Sequence, residues 1–204
     1  MSKRVHLHQV HLHLLALLLV LGGAVCAAEP YGRFEGAIKT EWLAEGPSPR
    51  LMRLLEDFAF VEPDGKRWIA RAGAVVDGAS IPRPFWPVIG GPFDGHYRSA
   101  SVVHDYYCVE RSEPWEEVHR MFYNAMRAAG VAEATAKVMF YAVWNFGPRW
   151  EQVKMRDGSG ETVRTVSWTP PDDPERREAE VAWILSANPS LEEIQALSAL
   201  RGVR

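Results

Sequence analysis

Cysteine is nearly absent from this chain. Only Cys26 and Cys108 occur among its 204 residues, and Cys26 lies in an N-terminal segment that we expect to be removed. The mature chain would then carry a single thiol, which excludes an intramolecular disulfide. The fold must be stabilised by its own hydrophobic core, for which the remaining residues, about 176, are sufficient.

Long apolar runs are also missing, except for one near the N-terminus. Residues 12–21 follow Lys3 and Arg4, and this run is too short to span a bilayer. Small residues then lead to Ala27 and Ala28, as in an export signal cleaved after either alanine; the alternative is an uncleaved anchor. We therefore expect residues 1–28 to be a signal peptide and the mature protein to be periplasmic or secreted, without a transmembrane span.

An excess of positive charge is absent from the mature chain. Without residues 1–28 it has 21 basic and 26 acidic residues, a formal charge of −5. This balance argues against nucleic acid as a partner. Export instead points to an unknown cell-envelope component. Histidine is scarce as well, because only His96, His104 and His119 remain, all within one short region.

Strand-like patterns occupy residues 31–76. Pro63-Asp64-Gly65-Lys66 has turn chemistry and separates two apolar runs, residues 57–61 and 67–70, so an antiparallel hairpin is predicted. A second hairpin is predicted from residues 150–155 and 162–168. Between the sheet and the helices, residues 82–95 are rich in Pro, Gly and aromatic side chains, which indicates an ordered loop.

Helical spacing of apolar residues predicts three helices: one over residues 97–109, one that starts at Ser112 with Pro114 and runs to about 129, and one over 132–146. Asp173 before Pro174, and Ser190 with Glu193, predict the starts of two further helices. The expected fold is α+β, with a small antiparallel sheet followed by a three-helix bundle. The α+β domain would cover residues 29–170, and residues 171–204 would form a helical C-terminal appendage.

Two motifs carry the candidate catalytic residues. Asp77 and Ser80 stand in the loop segment Asp77-Gly78-Ala79-Ser80-Ile81-Pro82, and His104 with Asp105 interrupts an apolar helical run. Together they supply carboxylates, a hydroxyl and an imidazole, which serve acid/base chemistry or metal ligation. The alternative is structural, since Asp and Gly often serve turn geometry, and a buried His-Asp pair needs hydrogen-bond partners.

A divalent metal ion is the cofactor that these residues suggest. His104 and Asp105 on one helix, with His119 on the next, form the predicted ligand set, with positions left open for water. Asp77 is an alternative ligand. Cys108 lies one helical turn after His104 and faces the same way, but a lone cysteine in an aromatic-rich helix is usually a small buried hydrophobe.

Several motifs follow one another in an order that resembles a known family. They are Val76-Asp77-Gly78-Ala79-Ser80-Ile81-Pro82, Trp86-Pro87, Tyr97-Arg98, Val103-His104-Asp105-Tyr106 and Phe122-Tyr123-Asn124-Ala125-Met126. Over about residues 55–148 the chain is similar to the uncharacterised domain of unknown function 1353, found in tailed phages and bacteria. The resemblance implies no established activity. His119 stands where that family usually has Asp.

Two functions from different classes remain open. The leading hypothesis is a metal-assisted hydrolase acting on a cell-envelope component, in which His104, Asp105 and either His119 or Asp77 bind the ion and activate water. The alternative is a non-catalytic envelope or phage-derived binding module, in which the same residues lock the loop onto the helices. Convergence of Asp77, His104, Asp105 and His119 on an open cavity would favour the hydrolase.

Overall fold

The computed structural model describes residues 29–43, 51–78, 82–85, 89, 95–154, 161–166 and 173–199. The predicted signal peptide, Ser80 and the turn of the second predicted hairpin lie outside the described residues.

The described strands are short and pair antiparallel in three small sheets. They are β1 (Arg33–Glu35), β2 (Thr40–Trp42), β3 (Met52–Leu54), β4 (Phe58–Val61), β5 (Arg67–Ala70), β6 (Val75–Val76), β7 (Arg149–Lys154) and β8 (Glu161–Val166). The strand orders are β1-β4-β5, β2-β3-β6 and β7-β8. The pairing of β7 with β8 confirms the second predicted hairpin.

The predicted hairpin between β4 and β5 is confirmed. Phe60 lies opposite Trp68, and both side chains are buried. In the turn, Asp64 accepts a hydrogen bond from the backbone N–H of Lys66, and Gly65 has a positive φ of 92°. Glycine adopts that conformation without steric penalty. A glycine after an aspartate therefore predicts a turn here from the sequence alone.

Five α-helices are described, and they confirm the predicted order. They are α1 (Arg98–Glu110), α2 (Trp115–Ala128), α3 (Glu133–Phe146), α4 (Pro174–Ala187) and α5 (Leu191–Ala199). Of the predicted start at Ser112 with Pro114, the structure uses Pro114, and α2 begins at Trp115. Pro114 is the N-cap residue, and a residue that precedes a proline is disfavoured in the helical region, so Glu113 does not join the helix.

Helix α3 is the centre of the core. Its residues from Ala136 to Asn145 are all buried, which explains a sequence that is apolar nearly all round. The C-terminal helices pack on it, because Ile184 and Ile194 are completely buried in the same hydrophobic cluster. Phe85, in the short segment before α1, contacts the rings of Tyr141 and Phe146. Sheet, bundle and C-terminal helices therefore share one core.

The helix starts that were predicted at the C-terminus are confirmed. Asp173 accepts a hydrogen bond from the backbone N–H of Arg176. Ser190 and Glu193 bond each other's backbone N–H groups, which is a complete capping box. Among the described residues, no helix has both the length and the apolar character that crossing a bilayer requires.

Candidate functional site

Helix α1 presents three polar side chains in two directions. His104 and Cys108 are four residues apart, so they lie on one face of the helix. Asp105 directly follows His104, so its side chain is rotated by about 100° around the helix axis relative to that of His104. All three side chains are buried. Apolar residues of the same helix, such as Val102 and Val103, are buried too, so α1 packs against other elements on more than one face.

His104 meets His119 of α2 inside the bundle. Their Nε2 and Nδ1 atoms are 2.9 Å apart, and neither residue has any exposed surface. The Nε2 atom of His119 lies 3.2 Å from the carbonyl oxygen of Pro148. Since a carbonyl only accepts, Nε2 of His119 carries the proton, and its Nδ1 accepts a hydrogen bond from Nε2–H of His104.

Burial keeps both imidazoles neutral. Desolvation lowers the pKa of His104 to about 3. Desolvation, followed by the repulsion that would arise if His104 were protonated as well, lowers the pKa of His119 well below its ordinary value. Neutral imidazoles offer lone pairs to a metal ion, whereas a proton donor at neutral pH needs a pKa near 7. The pair is therefore suited to ligation and poorly suited to acid catalysis.

Cys108 completes a cluster with the two histidines. Its Sγ lies 3.6 Å from Nε2 of His104, and one ligand atom from each of His104, Cys108 and His119 lies within 4.8 Å of the others. The ring of Phe122 stacks on His104 with the centroids 4.4 Å apart, so the surroundings are aromatic. Sequence reasoning had favoured a packing role for Cys108. The spacing of four residues from His104 was the signal for this cluster.

Asp105 is directed to the sheet side of α1. Its Oδ2 accepts a hydrogen bond of 2.8 Å from the backbone N–H of Gly78, in the loop that follows β6. Within the described part of the chain, the cluster with metal-ligand spacing contains Cys108 and both histidines but not Asp105. Of the predicted ligands His104, Asp105 and His119, the two histidines lie together and Asp105 does not. Cys108 is the third member of the cluster instead.

Asp77 lies next to this contact and is exposed. Gly78 is buried and has a φ of 86°, a backbone conformation that favours glycine. The loop thus turns its backbone towards Asp105 and its acidic side chain outwards. Of the four candidate catalytic residues, His104 and Asp105 are buried and Asp77 is not, while Ser80 lies outside the described residues.

Comparison with known proteins supports the resemblance found in the motifs. Residues 52–143 match the family described as "Protein of unknown function (DUF1353)", which confirms the similarity predicted over about residues 55–148. The chain is 44% identical over 140 residues to uncharacterized protein y4jT of Sinorhizobium fredii, covering 67% of this chain and 41% of the relative. It is 41% identical over 109 residues to uncharacterized protein y4iH of the same organism, covering 53% of this chain and 46% of the relative.

The chain thus spans less than half the length of the curated relatives that it matches. No solved structure matches it.

Proposed function

We propose that this chain is an exported, non-catalytic module that binds a component of the cell envelope. The observation that supports this most is the direction of the motif residues. His104 and His119 are fully enclosed, and Asp105 is bonded to the backbone of Gly78. A hydrolytic centre must admit substrate and water to its metal or its base. These side chains face the protein interior, so internal support of the fold explains them better.

The support acts on the loop after β6. The bond from Gly78 to Asp105 fastens this loop to α1, and Asp77 is left exposed on the fastened segment. Loops that are held by a rigid scaffold commonly carry binding residues. A carboxylate on a fixed backbone also loses little conformational entropy when it binds. Asp77 is accordingly the residue that we assign to contact with the envelope component.

A sedimentation assay with purified peptidoglycan sacculi tests this role. We expect the mature protein to sediment with sacculi and Asp77→Asn to lose at least about tenfold in affinity, or roughly 1.4 kcal/mol. Glu56→Gln is the matched control, because Glu56 is another exposed acid, on the turn before β4; it should sediment like the wild type. If the wild type stays in solution, peptidoglycan is excluded as the envelope component, and the binding role of Asp77 fails if Asp77→Asn binds equally well.

Metal-assisted hydrolysis is the second candidate. The specific observation in its favour is that two neutral imidazoles and a thiol converge within 4.8 Å. Incubation of sacculi with the protein and Zn²⁺, Mn²⁺ or Mg²⁺ separates the two functions, and we expect no release of soluble fragments above a blank. Fragment release that disappears in His104→Gln would instead favour the hydrolase.

Export is tested separately by N-terminal sequencing of the protein recovered from its host. We expect the mature chain to start at Ala28 or Glu29, since small residues precede both. Intact Met1 on protein recovered from membranes would contradict cleavage and favour an anchor.

A further inference from the structure

The binding role assigned to Asp77 makes no use of the cluster formed by His104, Cys108 and His119. This cluster brings two imidazole nitrogens and one sulfur together inside the bundle. Nε2 of His104 is 2.9 Å from Nδ1 of His119 and 3.6 Å from Sγ of Cys108. A cysteine needed only for packing would not have to lie next to two histidines. The cluster of two imidazoles and a thiol therefore suggests a role other than packing.

The spacing is close to that of ligands around one transition-metal ion. Three ligands at about 120° to one another, with metal–nitrogen bonds of about 2.0 Å and metal–sulfur bonds of about 2.3 Å, place nitrogen and sulfur about 3.7 Å apart and two nitrogens about 3.5 Å apart. The distance of 3.6 Å from Nε2 of His104 to Sγ of Cys108 is close to this value. The two imidazoles would have to separate by roughly 0.6 Å, and the ligand atoms of His119 and Cys108, which lie within 4.8 Å of each other, would have to come to about 3.7 Å.

The outer contacts of the cluster also suit ligation. Histidines that bind metals usually donate their other N–H to a carbonyl or a carboxylate, which fixes the tautomer. His119 makes such a contact, from Nε2 to the carbonyl oxygen of Pro148. Its Nδ1 is thereby directed at His104, and the lone pair that accepts the hydrogen bond from His104 can serve an ion once that proton has left Nε2.

Charge decides which class of ion fits. The cluster can supply one negative charge, that of the Cys108 thiolate, and the centre is enclosed by aromatic rings. The guanidinium of Arg149 lies nearby, because it sits over the ring of Trp115, which contacts His119. A divalent ion would leave a net positive charge in this buried site, which is costly, whereas a monovalent ion gives a neutral centre.

We propose that His104, Cys108 and His119 bind one soft monovalent metal ion, of which Cu⁺ is the biological representative. Thiolate and imidazole ligands suit Cu⁺, and three donors satisfy its low coordination number. On binding, the thiol of Cys108 releases one proton to solvent. On binding, the proton of His104 moves from Nε2 to Nδ1, so that Nε2 donates a lone pair to the ion and the imidazole stays neutral. No electron is transferred, and the site is closed and non-catalytic.

The test titrates the mature chain, without residues 1–28, anaerobically with Cu⁺, in competition with a chromogenic Cu⁺ chelator, and with Ag⁺ as an analogue that resists oxidation. We expect one ion per chain for both metals and no comparable affinity for Zn²⁺, Mn²⁺ or Mg²⁺. X-ray absorption of the copper-loaded wild type should show one sulfur and two nitrogen ligands, a readout that does not depend on any variant folding.

Variants then assign the ligands. Cys108→Ser and His119→Gln should each weaken Cu⁺ binding by at least about 100-fold, since each removes a direct ligand. The control is His96→Ala, which changes an exposed histidine and should bind Cu⁺ like the wild type. Preference for Zn²⁺ over Cu⁺, unchanged binding in Cys108→Ser, or an absorption spectrum without sulfur would each overturn the proposal.

Discussion

The two sides of helix α1 differ in the kind of partner they meet. On the side that faces α2, His104 contacts other side chains, with its Nε2 atom 2.9 Å from Nδ1 of His119. On the side that faces the sheet, Asp105 accepts a hydrogen bond from the backbone of Gly78. Two residues adjacent in the sequence thus serve two different interfaces. A His-Asp dipeptide is therefore no sign of a shared site unless the helix direction is known.

The α2 side should be the more sensitive to truncation. His104→Ala removes a fully buried ring that stacks on Phe122 and leaves Nδ1 of His119 without its donor. We expect a loss of about 3 kcal/mol in the free energy of unfolding, measured by urea denaturation in the presence of a chelator. Val109→Ala, an exposed change on the same helix, should lose less than about 0.5 kcal/mol. Equal losses in the two variants would contradict the stabilising role assigned to the buried contacts of His104.

The sheet side is tested at Asp105. Asp105→Ala leaves the buried N–H of Gly78 without its acceptor, and we expect a loss of about 2 kcal/mol by the same measurement. Asp105→Asn keeps an oxygen that can accept this bond, so it should retain most of the stability. If Asn is as damaging as Ala, the charge of Asp105 matters more than its bond to the loop.

Acid should lower the free energy of unfolding through the two histidines on the α2 side of α1. The pKa of both imidazoles is lowered in the folded state, for His104 from 6.5 to about 3. Above pH 6.5 both the folded and the unfolded chain hold neutral imidazoles, so these groups add no pH dependence. Below it the unfolded chain binds protons first, and stability falls by about 1.4 kcal/mol per pH unit for each imidazole.

Urea denaturation between pH 7 and pH 5, again with a chelator present, measures this slope. His104→Gln keeps a polar side chain that does not titrate in this range. Its free energy of unfolding should fall less steeply with decreasing pH, by about 1.4 kcal/mol per pH unit, which is the contribution of one imidazole. An identical slope in the variant would mean that other groups cause the acid sensitivity.

The smallest effect on stability is expected at Asp77. Its side chain is exposed, so Asp77→Asn should change the free energy of unfolding by less than about 0.5 kcal/mol. A loss comparable to that of Asp105→Ala would show that Asp77 also fastens the loop, and it would weaken the binding role assigned to this residue.

Local signals in the sequence predicted the elements well. The turn at Gly65 and the capping box of Ser190 and Glu193 involve residues at most three positions apart, so their hydrogen bonds depend little on the rest of the fold. The start predicted for α2 at Ser112 with Pro114 falls at Pro114, which is the N-cap residue, because a residue that precedes a proline is disfavoured in the helical region.

The site was less accessible to such reasoning. His104 and Cys108 share a helix face by spacing alone, and this part was legible in the sequence. That His119 completes the cluster depends on how α1 and α2 pack, and that Asp105 meets Gly78 depends on how the loop crosses α1. The sequence offers both contacts, in the ligand set of His104 with His119 and in a loop locked onto the helices, but the spacing of residues does not decide which candidate residues meet.

By itself, the sequence determined the α+β class, the order of the hairpins and helices, and the few residues able to carry chemistry. These properties follow from periodicity, turn residues and side-chain type, which act over a few positions. Only the tertiary structure decided which of those residues meet. It enclosed His104 with His119 and Cys108, bonded Asp105 to the backbone of Gly78 and left Asp77 at the surface. The reason is physical: burial and long-range contacts arise from the packing of whole elements, and no local pattern specifies that packing.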